Sequence, residues 1–246
     1  MLSSKSVLIL GAKSLLSKSI AKKFASKGYN IILAARAVES LFEFSRTLEK
    51  DNNIKCSLIE FDILKLSDHD ALFDNIEYLP KIVICVVGLM TINSSNLYKS
   101  EEINLMIRTN YLMPAIFLEN IAKKFLDSKS EKTIIGISSV AGDRGRASNY
   151  IYGSSKAGFT EYLSGLRQKL NKSDINVITI KPGYIKTKMS KNIQGPSFLF
   201  SSTDSVADLI YNAHLKKKLV IYTRIWKYIM LIIKLIPEGI FKKLNF

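Results

Sequence analysis

The chain is short of acidic residues, of cysteine and of long apolar runs, and each shortage removes a class of protein. Its 246 residues hold 21 Asp and Glu against 36 Lys and Arg, a formal charge of +15. Such an excess suits nucleic acid, an anionic membrane face or a phosphorylated substrate, so the placement of the charge has to choose among them. Much of it lies at one end: residues 216–246 carry eight Lys or Arg against Glu238 alone, and the rest is only mildly basic. A nucleic-acid partner is not expected. The two cysteines, Cys56 and Cys85, are too few for a disulfide framework and sit in strand-like apolar runs, which points to buried thiols in a reducing cytosol. Met1 to Ser6 leads into an apolar stretch ending at Gly11 with no small-residue cleavage site after it, so a secretory signal is not expected. No repeat, low-complexity tract or Pro/Gly-rich linker divides the chain, and 47% hydrophobic content over this length can fill one core. No metal site is expected.

What is present is an alternation. Ser6–Leu10, Asn30–Ala35, Lys55–Phe61, Lys81–Val87, Lys132–Ile137 and Asn176–Lys181 read as strands of a buried sheet. Between them, Ser14–Lys27, Glu39–Glu49, Ser67–Tyr78, Glu101–Leu126 and Asn149–Leu170 carry apolar residues at helical spacing. Strand–helix alternation implies right-handed crossovers, hence an α/β fold with a doubly wound parallel sheet of Rossmann type and a ligand outside the carboxyl ends of the strands. Residues 1–218 are expected to form the dinucleotide-binding catalytic domain and residues 219–246 an amphipathic, basic C-terminal tail.

The residues that carry chemistry fall at those strand ends. After the first strand comes Gly11-Ala12-Lys13-Ser14-Leu15-Leu16-Ser17, a turn where Gly11 permits tight backbone passage and a helix N-terminus can face a pyrophosphate. It lacks the further glycines of a full dinucleotide pattern, and alone it is equally an ordinary strand-to-helix turn. Tyr152 and Lys156 stand four apart, on one helix face. A phenol that exchanges protons near neutrality must be lowered by about 3 from its usual pKa near 10, about 4 kcal/mol, and a neighbouring ammonium supplies such a preference. A bare pair of this kind is more often a solvated face; its company changes the reading. Ser139 precedes Tyr152 by thirteen residues at a strand end, where its hydroxyl can hold a substrate carbonyl oxygen. Asn110 lies inside an expected helix, where a buried amide needs partners and can anchor a water. At the end of the second strand no acidic residue awaits a ribose 2′-hydroxyl, and Arg36 can pair with a 2′-phosphate instead, with Lys13 as a second cation, so NADP(H) is favoured over NAD(H).

Taken together, Gly11-Ala12, Asp62, Val86-Val87-Gly88, Asn110, Ser138-Ser139, Tyr152/Lys156 and Pro182-Gly183-Tyr184-Ile185-Lys186-Thr187 resemble, in order and spacing, the short-chain dehydrogenases/reductases from about Lys5 to Ser190. The resemblance implies Asn110, Ser139, Tyr152 and Lys156 as the catalytic set, with Asn110 holding a proton-relay water, Lys156 also bonding the nicotinamide ribose and Tyr152 also contacting the cofactor. It implies cofactor contacts from Gly11, Lys13, Ser14, Leu16, Val87, Gly88, Pro182 and Gly183, from Asp62 and Ile63 beside the adenine, and from Ile185 and Thr187 at the carboxamide end. Two departures bear on the pyrophosphate: Leu15 and Ser17 replace expected glycines, and Val86-Val87-Gly88 replaces Asn-Ala-Gly.

The tail adds Trp226, Tyr228 and a run of apolar residues in which Lys227 and Lys234 bracket only six, far short of the ~20 a bilayer span requires. Cationic flanks and a helix break at Pro237 suit an interfacial segment, a peripheral contact at the inner face of the membrane. The plainer alternative is a helix packed on the body or between protomers, and a homo-oligomer is expected. The tail, Gly142 to Arg146 and the stretch Asn149 to Gly158 also resemble the keto-reductase half of the decaprenylphosphoryl-ribose epimerase. That resemblance implies a lipid-linked (polyprenyl-phosphate) keto-sugar substrate and a flavin oxidase partner, within cell-envelope glycan biosynthesis. Arg144 and Arg146, near the active-site helix, would then meet a phosphate, or else are solvated loop charges. A nucleotide-linked sugar, a soluble carbonyl or 3-oxoacyl reductase and a non-catalytic dinucleotide sensor are the other readings.

Overall fold

The computed structural model describes residues 5–91, 97–128, 130–187, 190 and 195–244; residues 1–4, where the N-terminal reading begins, lie outside them. Seven parallel strands form one sheet: β1 (Ser6–Leu10), β2 (Asn30–Ala35), β3 (Cys56–Glu60), β4 (Ile82–Cys85), β5 (Lys132–Ile137), β6 (Ile175–Lys181) and, at the edge, β9 (Val220–Tyr222). Their order is β3-β2-β1-β4-β5-β6-β9. A small second sheet pairs β7 (Tyr184–Ile185) with β8 (Phe200–Ser201).

The strands are apolar on both faces because both faces are covered. Val7, Ile9, Ile31 and Leu33 point to one side, where α1 (Leu15–Ala25), α2 (Phe42–Asn52) and α7 (Thr203–Leu215) pack. Leu8, Leu10, Ile32 and Ala34 point to the other, under α3 (Leu66–Asp74), α5 (Met113–Leu126) and α6 (Tyr150–Lys169). The period-2 alternation thus divides one hydrophobic run between two cores, the Rossmann-type arrangement expected from the sequence. The order reverses between β1 and β4, and a crevice opens there at the carboxyl ends of the strands.

Three elements differ from expectation. Glu101–Leu126 is not one helix: α4 (Ser100–Ile107) passes through a π turn at Arg108–Leu112 before α5 begins. Pro114 has no N–H to give the carbonyl of Asn110, so the α-helical ladder cannot continue there, and the chain takes the wider turn. The helix α7 was not anticipated. The tail, expected from Leu219, begins later, because Val220–Tyr222 pair with Thr179–Lys181 as the seventh strand. Beyond it lie α8 (Trp226–Leu235) and α9 (Glu238–Phe241). No helix among the described residues is long and apolar enough to cross a membrane.

Candidate active site

Two adjoining cavities occupy the crevice. The larger, about 590 Å³, is lined by Ser139, Tyr152 and Lys156 together with Leu16, Arg146, Pro182, Gly183, Ile185 and Thr187. The smaller, about 400 Å³, is lined by Gly11, Arg36, Asp62 and Ile63. Lys13, Ser14, Val87 and Gly88 line both, at the junction. Every expected site residue except Asn110 and Arg144 therefore borders one cleft. Leu15, Met90, Asn149 and Tyr184 border it as well; Leu15, Asn149 and Tyr184 lie within motifs but were given no role, and Met90 lies in none.

The glycine turn keeps its shape without its second and third glycines. Gly11 has φ +78, and a Cβ there would meet the Val87 backbone nitrogen at 3.2 Å, so the turn lies directly against the end of β4. Ser14 caps α1, its Oγ accepting from Ser17 N at 3.0 Å. Ser17 is buried and donates to the Gly11 carbonyl at 2.8 Å, filling a glycine's position from behind, outside the cleft. Leu15 does border the cleft, half exposed. The first turn of α1 has no acidic side chain, so its N-terminus meets the junction as an electropositive end.

Helix α6 is brought close by two glycines. A Cβ on Gly142 would stand 2.7 Å from the Ala157 nitrogen, and one on Gly153 would stand 2.7 Å from the Ala141 carbonyl oxygen. This contact sets Tyr152 beside Ser139, which in turn caps the short turn Val140–Gly142 by accepting from Ala141 N at 3.1 Å. A second brace comes from Asn110. Its amide donates to the Leu89 carbonyl at 2.8 Å and to Ser155 Oγ at 2.9 Å, and accepts from Leu89 N at 2.7 Å. Ser155 Oγ donates to the Tyr152 carbonyl at 2.7 Å. The Asn110 side chain is a buckle joining the π turn, the strand end after Gly88 and the helix that carries Tyr152.

The charges are tuned by burial. Lys156 donates to the carbonyls of Ile137 at 3.0 Å and Val87 at 3.4 Å, and burial lowers its pKa to about 8, opposed by the neighbouring Cys85. The Tyr152 phenol is moved up, not down: burial dominates, against a hydrogen bond from Ser139 and the charge of Arg146. The expected lowering by Lys156 is absent because the ammonium faces backbone carbonyls. Tyr152 therefore holds its proton through neutrality, the state a proton donor requires.

Arg146 lines the larger cavity and has no ion pair among the described residues. Arg144 does not reach the cavity. It donates to the Ile236 carbonyl at 3.2 Å and pairs with Glu238 at 2.6 Å, so of the two arginines expected near the substrate only Arg146 borders the cavity. Arg144 is drawn away because the tail offers it a carboxylate and the Phe241 ring, 4.3 Å from the guanidinium carbon. Between the arginines' loop and the sheet, Asp143 pairs with Lys181 and accepts from Tyr222 Oη at 2.9 Å.

The short chain dehydrogenase family matches residues 5–196, most of the chain. The chain belongs to that family. An uncharacterized oxidoreductase of Mycobacterium tuberculosis is similar to it at 24% identity over 97% of this chain and 96% of its own. The ketoacyl reductase HetN of a Nostoc species is similar at 26% identity, over 86% of this chain and 76% of its own. Among solved structures, a short-chain dehydrogenase from Sphingobium yanoikuyae in complex with NADPH superposes with a TM-score of 0.82 at 22% identity, covering 95% of this chain and 97% of that one. As a short-chain dehydrogenase the protein is an NAD(P)-dependent oxidoreductase. The cleft fits such a dinucleotide on its own evidence. The two cavities join at a capped helix N-terminus, Gly11 leaves the backbone bare there, and a Cβ on Gly88 would come within 3.5 Å of Lys156 Nζ. Two buried polar atoms on its walls, Thr109 Oγ1 and Asn149 Oδ1, have no hydrogen-bond partner among the described residues.

Proposed function

We propose that the protein is an NADPH-dependent reductase that converts a ketone on a phosphate-bearing, lipid-linked or nucleotide-linked sugar into a secondary alcohol. The observation that carries the reading is the convergence of Ser139, Tyr152, Lys156 and the ion-unpaired Arg146 on one cavity that adjoins the Arg36 and Lys13 side of the cleft. Lys13, Ser14 and Gly88 would hold the diphosphate, Arg36 a 2′-phosphate, Asp62 and Ile63 the adenine, and Ile185 and Thr187 the carboxamide. A reduced nicotinamide supplies, when bound, the hydride that the carbonyl carbon receives. Ser139 holds the carbonyl oxygen and Tyr152 delivers its phenolic proton to that oxygen, giving an alcohol. The Ser139 hydroxyl and the Arg146 charge, the two influences that favour the ionised phenol, stabilise the phenolate left behind until it is reprotonated, and Lys156 would bond the nicotinamide ribose. Arg146 receives the substrate phosphate.

The substrate class is supported by Arg146, which has no ion pair among the described residues, and by the resemblance of the loop Gly142–Arg146 and the tail in sequence to the epimerase reductases. A flavin oxidase that makes the ketone would then act before this enzyme, at the cytoplasmic face of the membrane. A second reading, a carbonyl or 3-oxoacyl reductase, is favoured by the ketoacyl relative and by the apolar side chains Leu15, Met90 and Ile185 on the cavity wall.

Steady-state rates with both cofactors and a panel of ketones test this. NADPH should exceed NADH in kcat/KM, and Arg36→Ala should shrink that ratio about 10- to 100-fold, the worth of a charge-assisted phosphate contact. Arg146→Ala should raise KM for a phosphorylated keto-sugar far more than for its uncharged parent, on top of any effect on kcat common to both through the Tyr152 phenol. Equal use of NADH, or faster turnover of a 3-oxoacyl thioester than of any keto-sugar phosphate, would overturn the respective part of the proposal.

A further inference from the structure

The tail packs on the body with one face only. In α8 the inward residues Trp226, Ile229, Met230 and Ile233, three and four apart, join Val140, Tyr184, Leu199 and Tyr222 in one apolar cluster. Trp226 lies so close to Gly183 that a Cβ there would fall 2.0 Å from its indole nitrogen, which donates to the Leu199 carbonyl at 3.0 Å. With Arg144 holding Ile236, Glu238 and Phe241, the segment is seated on the body at both ends.

The opposite face is apolar and bare. Tyr228, Leu231, Ile232 and Leu235 are also three and four apart, and are 66%, 59%, 65% and 75% exposed, a patch that water disfavours. Lys227 and Lys234, seven apart, border it on one side, and Lys242 and Lys243 follow. None of these four lysines has an ion pair among the described residues, and the local carboxylate, Glu238, is taken by Arg144.

We propose that this face is a docking surface for an anionic lipid bilayer. Tyr228, Leu231, Ile232 and Leu235 enter the boundary between headgroups and acyl chains, and the four lysines meet lipid phosphates. The helix, about 15 Å long at ten residues, is half of what would cross the hydrocarbon core, so it lies along the surface. Charge selects lipid over a second copy of this chain. A twofold contact through this face would press the Lys227 and Lys234 borders of two copies together with no free carboxylate between them, whereas lipid phosphates neutralise them. The helix that carries the surface also rests on the cavity wall with its inner face, since Tyr184 lines that cavity and meets Trp226 edge-on at 5.1 Å. Docking would thus set the cavity wall beside the bilayer, which suits the lipid-linked substrate proposed above but does not depend on it.

Co-sedimentation of the full-length protein with vesicles tests the surface without any turnover. The wild-type protein should pellet with vesicles of equal parts phosphatidylcholine and phosphatidylglycerol, and far less with phosphatidylcholine alone or at high salt. The double variant Leu231→Glu/Leu235→Glu should lower partitioning at least about tenfold with an unchanged melting temperature, because both side chains are exposed. Lys227→Glu/Lys234→Glu should lower it on the anionic vesicles only. Wild-type protein that stays in solution, or a double variant that pellets like wild type, would overturn the proposal. So would a wild-type dimer, indifferent to vesicles, that the double variant dissociates.

Discussion

Lys156 should cost the folded protein stability, and removing it should show this directly. The residue is 3% exposed, and burial lowers its pKa from 10.5 to about 8. Because the folded value lies below the unfolded one, the unfolded chain binds more protons between them, and stability rises with pH across that window. Below pH 8 both states are protonated and the whole penalty, about 3 kcal/mol, is present. By pH 10 most of it is gone, a relative gain of about 2–3 kcal/mol. Lys156→Met replaces the chain with an apolar one of similar length and removes the titration. It should therefore melt above wild type at pH 7, less whatever the hydrogen bonds to Val87 and Ile137 contribute, with the gap narrowing by about 5–10 °C toward pH 10. Paired thermal melts at half-unit pH steps give the comparison. Parallel curves from pH 7 to pH 10 would refute the reasoning, and would mean that the ammonium is not desolvated as its surroundings imply.

Asn110→Ala strands the Leu89 amide and carbonyl and loses Ser155. It should destabilise by about 2–3 kcal/mol, read as a fall in melting temperature of about 4–12 °C, since a buried partner left unpaired is penalised beyond the lost bond. Gly142→Ala places a methyl against the Ala157 nitrogen and pushes α6 from Ser139. It should cut kcat/KM about 100-fold while the protein remains folded, a result checked by kinetics alongside circular dichroism.

The sheet was legible because its strands are continuous apolar runs with sharp polar ends: the bounds of β1, β2 and β5 fall where the residues predict them. The edge strand β9 was not, since three residues at the head of an apolar tail carry no period of their own. Helix α7 shows helical spacing at Val206, Ile210 and Ala213, but no chemical motif draws attention to it. The π turn had a signal in Pro114, four residues beyond Asn110, and periodicity alone hides it. At the site, spacing along α6 and the strand ends brought Ser139, Tyr152 and Lys156 to one cavity. What it could not give was direction. Which carbonyls Lys156 faces, and whether Arg144 turns to substrate or to the tail, depend on groups 69 and 94 residues away. Asn149 and Tyr184 lay inside the resembling stretches, but their place on the wall depends on how distant segments fold, so no role could be read for them.

The central claim, that Tyr152 delivers the proton to a ketone held in this cleft, is tested most directly by Tyr152→Phe. The variant should bind NADPH and melt as the wild-type protein does, while ketone reduction falls about 1000-fold or more. Reduction within tenfold of wild type would contradict it.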